Sequence, residues 1–315
     1  MVKIPDGWDY MNWNVDFANT YMDEKLDIEE EGYIYSKDTD KKLFKIYNSD
    51  DSYYIHRAKL GNRSLVNISD DILKLRAATD SETYPVPDEA RYGAGIATGI
   101  HYGPHQEVTH EFKPPVRIEI RFRPYWVPGN FVALWMMTNE WVKAPDDTLL
   151  MQEYDLIEAG GQFDEGDGPA GKHDVRSAVH SWQSKSSNGG HKSLSVHTAN
   201  AVDFGSKDNW NTAVFEWLTG PDDEDKTIRY YINDHLLFEA SPKDFDNPSL
   251  LKDNKPVSEN YSWAESIRKI WNKPMNLKLW HQIQLSHKYL AYDKVDPDDF
   301  PVSLDFKWIR SYKKK

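Results

Sequence analysis

Cysteine is absent from this chain of 315 residues. That absence excludes a disulfide framework, a thiol nucleophile and a thiolate zinc site. No run of 18 apolar residues occurs, so no transmembrane helix and no membrane partner are expected. The opening residues, MVKIPDGWDYMNWN, contain no apolar core of a signal peptide. Two localisations follow as expectations: an intracellular protein, or a secreted or periplasmic one whose signal peptide was removed. Basic charge is in short supply, with 38 Lys and Arg against 51 Asp and Glu and a net charge of −13. Neutralising phosphates needs a basic surface, so nucleic acid is not expected as a partner. The same balance argues against a highly sulfated ligand, unless a local patch overrides the average. Helical patterning is scarce as well. Ser262, followed three residues later by Glu265, forms a capping-box pattern and predicts a short helix over Ser262 to Trp271. There is no internal repeat.

Alternation is what the chain has in quantity. RIEIRFR, AVFEW, TIRYYIN and SLDFKW place apolar residues at every second position, the period of a half-buried strand. Turn residues punctuate them at Pro128-Gly129, Gly160-Gly161, Asn188-Gly189-Gly190 and Gly220-Pro221-Asp222. Frequent strands separated in this way predict an all-β sandwich. All-β domains can run long as one unit, so residues 1–315 are expected to form a single domain and a monomer. The 12 Trp and 18 Tyr residues suit strands in any case, although flat aromatic faces also suit sugar rings.

One run carries chemistry. In MQEYDLIEAGG (Met151 to Gly161), three carboxylates occupy six positions among Met, Tyr, Leu and Ile. Apolar and β-branched neighbours argue for a strand rather than a solvated edge. Glu153 and Asp155, two apart, then share a face, whereas Glu158 would point away. A single β-bulge adds one residue and returns Glu158 to that face. Glu153 and Glu158 would lie about 13 Å apart at Cα, roughly four strand rises. Carboxyls leaning together from there could approach to about 5–5.5 Å, the separation of a retaining glycosidase.

This run resembles the E-x-D-x-x-E signature of glycoside hydrolase family 16 in its bulged form. Other segments resemble the family's strands in the same order: VRIEIRFRP (Val116 to Pro124), GNFVALWMM (Gly129 to Met137), VRSAVHSW (Val175 to Trp182), NWNTAVFEW (Asn209 to Trp217), IRYYIND (Ile228 to Asp234), KPMNLKLW (Lys273 to Trp280) and VSLDFKWIRSY (Val302 to Tyr312). The resemblance runs from about Ile72 to Tyr312, and the first 70 residues match poorly. It implies a concanavalin A-like β-jelly-roll with an open substrate cleft on its concave face. It also implies an endo-acting, retaining hydrolysis of a polysaccharide, without a cofactor. Glu153 would be the nucleophile, Glu158 the acid/base, and Asp155 a hydrogen-bonding neighbour of Glu153. Trp135, His180, Trp182 and Trp280 become substrate-binding candidates, with core packing as the competing role for each. Asp305 matches a position that holds a structural calcium in some members, and a surface or turn acid is its plainer reading.

Two departures from the family's pattern matter: the first alters a cleft position, and the second bears on substrate. Trp280 stands where the family usually has Asn. The Trp-Pro and Gly that commonly precede the first Glu in laminarinases are replaced by Leu150, Met151 and Gln152. The run therefore leans toward the agarase and porphyranase group and a red-algal galactan, with a β-1,3- or mixed-linkage glucan as alternative. Two readings of other classes remain: a non-catalytic carbohydrate-binding relative, which would typically lack both glutamates, and a polysaccharide lyase, which needs a Tyr or His base and a neutraliser for a uronate. The segments 159–174 and 183–192, rich in Gly, Ser, Asp and Lys, are expected to rim the cleft. His105, His110, His173 and His191 have no metal-ligand spacing and read as loop residues.

Overall fold

The computed structural model describes residues 4–16, 26–28, 33–36, 41–47, 65–87, 90–100, 107–160, 172–185, 190–206, 208–252, 254–258, 260–283 and 295–315. Much of the two segments expected to rim a cleft, 161–171 and 186–189, lies outside the described residues, as do Gly161, Asn188, Gly189 and His105.

The strand Val116–Pro124 shows how the sequence builds the sandwich. Val116, Ile118, Ile120 and Phe122 are fully buried, and the intervening residues are only half buried. Its outer face carries charges that satisfy one another: Arg117 bridges Glu119 at 2.7 Å and Glu216 at 2.5 Å. Strand neighbours His235–Ala240, Ile228–Ile232, Asn211–Trp217, Val116–Pro124 and Val302–Lys314 form one antiparallel sheet in that order. Ile72–Thr79 and Trp8–Asp16 flank the far side of the last strand. The hairpin joining Ile228–Ile232 to His235–Ala240 turns at Asn233 and Asp234, both at positive φ, which is where Asn and Asp are tolerated.

The second sheet runs Lys192–Asp203, Lys172–Ser184, Leu149–Gly160, Asn130–Thr138, Met275–Ile283 and Arg91–Ala97. Lys42–Ile46, Tyr33–Ser36 and Leu26–Ile28 extend it, so the weakly matched N-terminal part adds strands to this edge. Between the sheets lies one continuous core, reaching from Ile34 and Phe44 to Phe306 and Ile309. Tyr154, Phe215, Trp217, Tyr230 and Phe238 stack through its centre. Each large side chain taken from water contributes roughly 1.5–3 kcal/mol. The architecture is the all-β jelly-roll sandwich expected from the sequence.

The predicted helix forms at Trp263–Ile270. Ser262 accepts from the Glu265 backbone at 3.1 Å, and Glu265 accepts from the Ser262 backbone at 2.8 Å, which satisfies two otherwise orphaned N–H groups. The helix braces the strands that carry the acidic run. Gln152 Nε2 donates to the Ile270 carbonyl at 2.9 Å, and Gln183 Nε2 donates to Ser266 Oγ at 2.6 Å.

Candidate active site

The strand Leu149–Gly160 contains the bulge that the spacing of its acids requires. Its register against Asn130–Thr138 slips between Leu134 and Trp135, which face Ile157 and Asp155 and leave Leu156 as the extra residue. The register against Lys172–Ser184 slips between Asp155 and Glu158 as well. Leu156 and Ile157 are consequently both in the core, at 3% and 0% exposure. The carbonyl that the bulge removes from regular pairing is caught by Ser177, whose hydroxyl donates to Leu156 O at 2.9 Å.

Beyond the bulge Glu158 returns to the face of Glu153 and Asp155, and the three acids take three rungs of the sheet. Glu153 lies opposite Met137 and His180, Asp155 opposite Trp135 and Ala178, and Glu158 opposite Ala133 and Arg176. One strand further on, Asn276, Lys278 and Trp280 continue the same rungs. Ala133, Trp135, Met137 and Met151 form an apolar cluster on this outer face, with Trp141, Trp182 and Trp280 packed against it.

Hydrogen bonds then fix the acids. Trp182 Nε1 donates to Glu153 Oε2 at 3.0 Å. His180 Nε2 lies 2.7 Å from Asp155 Oδ2, and its Nδ1 lies 2.5 Å from Ser195 Oγ. With Nε2 carrying the proton toward the carboxylate, Nδ1 accepts from the serine hydroxyl. The His180 ring stacks near-parallel to Trp182 at 5.9 Å. His180 and Trp182 thus each hold one acid of the run, which is a more definite position than a general lining role.

Burial pushes all three carboxyls upward. Glu153 rises to about 8, first by desolvation and then by the charge of Asp155, against the lowering effects of His180 and the Trp182 hydrogen bond. Asp155 rises to about 7 by desolvation, opposed by a hydrogen bond from Glu153. Glu158 rises to about 7 by desolvation and the Asp155 charge, opposed by His180 and Arg176. Near neutral pH the cluster therefore retains protons that exposed carboxylates would have lost. Such a group can accept a proton, donate one, or attack an electrophilic carbon.

The remaining candidates divide. Trp135 is 9% exposed, sits on the Asp155 rung, and meets Trp280 edge-on at 4.9 Å. Trp280 in turn packs edge-on against Tyr47 at 5.4 Å. Asp305 departs from its plainer reading as a surface or turn acid. It is buried, its Oδ2 accepts from Arg123 Nη2 at 2.7 Å, and its Oδ1 accepts from Ser303 Oγ at 2.7 Å. A guanidinium donates to one oxygen and a hydroxyl to the other, so the carboxylate serves a cross-strand ion pair. Glu153, Asp155 and His180 offer atoms within 4.8 Å of one another, but the Asp155–His180 hydrogen bond spends the facing pair on itself.

Sequence reasoning missed Lys278, Tyr47, Ser195 and Trp141. Lys278 had a signal, because in NLKLW it alternates with Trp280 on the face of the acids. His191, read as a loop residue, does lie outside a strand, yet it packs edge-on against Trp182 at 5.4 Å and near Trp141 at 6.5 Å.

No protein-family model matches the chain, and no curated protein sequence matches it. Solved structures do. An endo-β-1,3-glucanase from Pyrococcus furiosus superposes with a TM-score of 0.58 at 18% identity, covering 98% of this chain and 95% of the other. The catalytic domain of an endo-1,3-β-glucanase (laminarinase) from Thermotoga petrophila gives 0.57 at 16% identity, covering 98% of each chain. A structure from work on endo-acting O-glycanases, with which human gut microbiota initiate mucin breakdown, gives 0.57 at 16% identity, covering 96% and 99%. At these identities the likeness is one of fold, and it extends over nearly the whole chain.

Proposed function

We propose that this chain is an endo-acting, retaining β-glycoside hydrolase of the family 16 type. The observation that carries the reading is the bulge at Leu156, which aligns Glu153, Asp155 and Glu158 on one face, with Trp182 and His180 holding the first two. The whole-length likeness to endo-glucanases supports it.

The mechanism follows from the positions. Glu153, held by the Trp182 N–H, attacks the anomeric carbon while Glu158 protonates the departing oxygen. The bond to the leaving sugar breaks and a glycosyl-enzyme ester forms on Glu153. Glu158, now ionised, takes a proton from water as that water displaces Glu153, which restores both groups. Asp155 stays bonded to His180 and shares the cluster's charge with Glu153. The step needs Glu158 protonated and Glu153 ionised; burial raises both carboxyls, and the Trp182 hydrogen bond and the His180 charge are what favour the anionic form of Glu153. Trp135, Trp182 and Trp280 offer aromatic surface against sugar rings.

For the substrate, two readings have separate supports. A β-1,3- or mixed-linkage glucan is favoured by the fold neighbours, several of which act on such glucans. A red-algal galactan is favoured by the missing Trp-Pro and Gly before Glu153. Reducing-end release from laminarin, lichenan, agarose, porphyran, carrageenans and xyloglucan separates them, with Glu153→Gln as the inactive control. Turnover of one polysaccharide by the wild type and none by Glu153→Gln is expected. Equal turnover by both proteins would remove Glu153 as nucleophile, and no turnover on any polymer would favour the carbohydrate-binding reading.

A further inference from the structure

His180 is bonded at both ring nitrogens, and the partner on its far side is a hydroxyl that the acid chemistry leaves unused. In SLSVH (Ser193 to His197), Leu194 is buried and Val196 packs on the core, so alternation puts Ser195 on the opposite face, that of the acids. Ser195 pairs across the sheet with His180, which pairs in turn with Glu153. Ser195 Oγ lies 2.5 Å from His180 Nδ1, and His180 Nε2 lies 2.7 Å from Asp155 Oδ2. A chain of hydrogen bonds thus runs from Lys192–Asp203 across Lys172–Ser184 to the central acid of the run.

A neutral imidazole carries one proton, and the partners of its two nitrogens decide which of them holds it. His281 shows one outcome. Its Nδ1 lies 2.8 Å from the Leu75 carbonyl, which only accepts, and its Nε2 lies 3.2 Å from Asn130 Nδ2, which only donates, so the proton sits on Nδ1. His180 is arranged the other way. Imidazole is ordinarily more basic than a carboxylate, which places the proton of their contact on Nε2, facing Asp155. Nδ1 is then bare and needs a donor, and the Ser195 hydroxyl stands against it. A hydroxyl can also turn and accept if the ring gains a second proton, so the contact survives at either charge.

The place of Asp155 bears on both glutamates. It occupies the rung between theirs, and its charge pushes each toward the neutral acid. We propose that Ser195 is a positioning residue: its hydroxyl donates to Nδ1, pins neutral His180 as the Nε2–H tautomer, and so keeps that N–H on Asp155 between nucleophile and acid. It acts through His180 and not on the sugar. The inference rests on the reading of Glu153 and Glu158 as the reacting pair.

The test is imidazole nitrogen and proton NMR of histidine-labelled wild type, Ser195→Ala and Ser195→Thr, at a pH where the His180 ring is neutral, with His180→Gln to assign its signals. Wild type should show a bare Nδ1 and a protonated Nε2. In Ser195→Ala the Nε2 proton should exchange with water about threefold to tenfold faster, the scale of one hydrogen bond, and Ser195→Thr, which keeps the hydroxyl, should return the slow exchange. A protonated Nδ1 in the neutral wild-type ring, or unchanged exchange in Ser195→Ala, overturns the inference. Kinetics on the polysaccharide that the wild type cleaves give the second readout. Ser195→Ala should lower kcat by about threefold to tenfold with KM unchanged, and Ser195→Thr should restore it. A loss in KM alone would make Ser195 a substrate contact and overturn the positioning role, as would a loss that threonine does not restore. A folded wild type without turnover, but with exchange that depends on Ser195, would overturn the hydrolase reading and leave the hold on His180 standing.

Discussion

The indole N–H of Trp182 points at Glu153 Oε2 from 3.0 Å, so the aromatic residue on the neighbouring strand holds the first acid of the run. A hydrogen bond to a charged group contributes about 1.5–3 kcal/mol, and its loss is felt most where the group must be anionic. Trp182→Phe keeps a ring against His180 and His191 and removes the donor. It should lower kcat/KM by roughly tenfold to a hundredfold and move the acidic limb of the pH profile upward. A loss expressed only in KM would show that Trp182 serves sugar stacking instead.

The bulge makes a prediction about stability. Ser177 is fully buried and its hydroxyl satisfies the Leu156 carbonyl. Ser177→Ala leaves that carbonyl unpaired in the core and should cost about 1–3 kcal/mol. Denaturant melts of wild type and variant measure it. A change within about 0.5 kcal/mol, as for an ordinary surface substitution, would mean that the bulge stands without its side-chain prop.

The bulge and the sandwich were legible because both are local. Strict alternation fixes a strand's faces, and the adjacent apolar pair Leu156 and Ile157 can both enter the core only if the period breaks between Asp155 and Glu158. The helix was legible for the same reason, since its cap lies within four residues. What the sequence hid depends on partners far along the chain. Tyr47 and Lys278 meet across 231 positions, and Tyr47 lies in the part that matched the family poorly. That Asp305 is buried and not a surface or turn acid was hidden because its partner, Arg123, stands 182 residues away on an adjacent strand. Trp182 was recognised as an aromatic of the site, but the direction of its N–H depends on a rotamer, which alternation does not encode.

Stability should record the buried acids. In the unfolded chain Glu153 ionises near its ordinary 4.5, whereas in the fold it holds its proton up to about 8. Between those values the folded state binds more protons, so this group makes stability fall as pH rises, and the penalty is complete above the folded value. Glu153→Gln removes that dependence. Its melting temperature relative to wild type should therefore increase from pH 5 to pH 6.5. The window stops there because Lys278, lowered to about 7, titrates with the opposite sign above it. A difference that stays constant across the window would mean that Glu153 is not raised by burial.

Stereochemistry tests the pairing of Glu153 with Glu158. Two carboxyls about 5–5.5 Å apart leave no room for a water to attack directly, whereas inversion needs about 6.5–9.5 Å. Cleavage should release the β-anomer first, seen by proton NMR before mutarotation, and initial release of the α-anomer would overturn both the spacing and the double displacement. The roles within the pair separate with Glu158→Ala. A polysaccharide needs its leaving oxygen protonated, so turnover on it should fall steeply. An aryl glycoside with a good leaving group needs little acid in the first step, and only the breakdown of the glycosyl-enzyme should slow. Azide requires no general base, so it should restore that step and yield the β-glycosyl azide. An α-azide would identify Glu158 as the nucleophile and exchange the two roles.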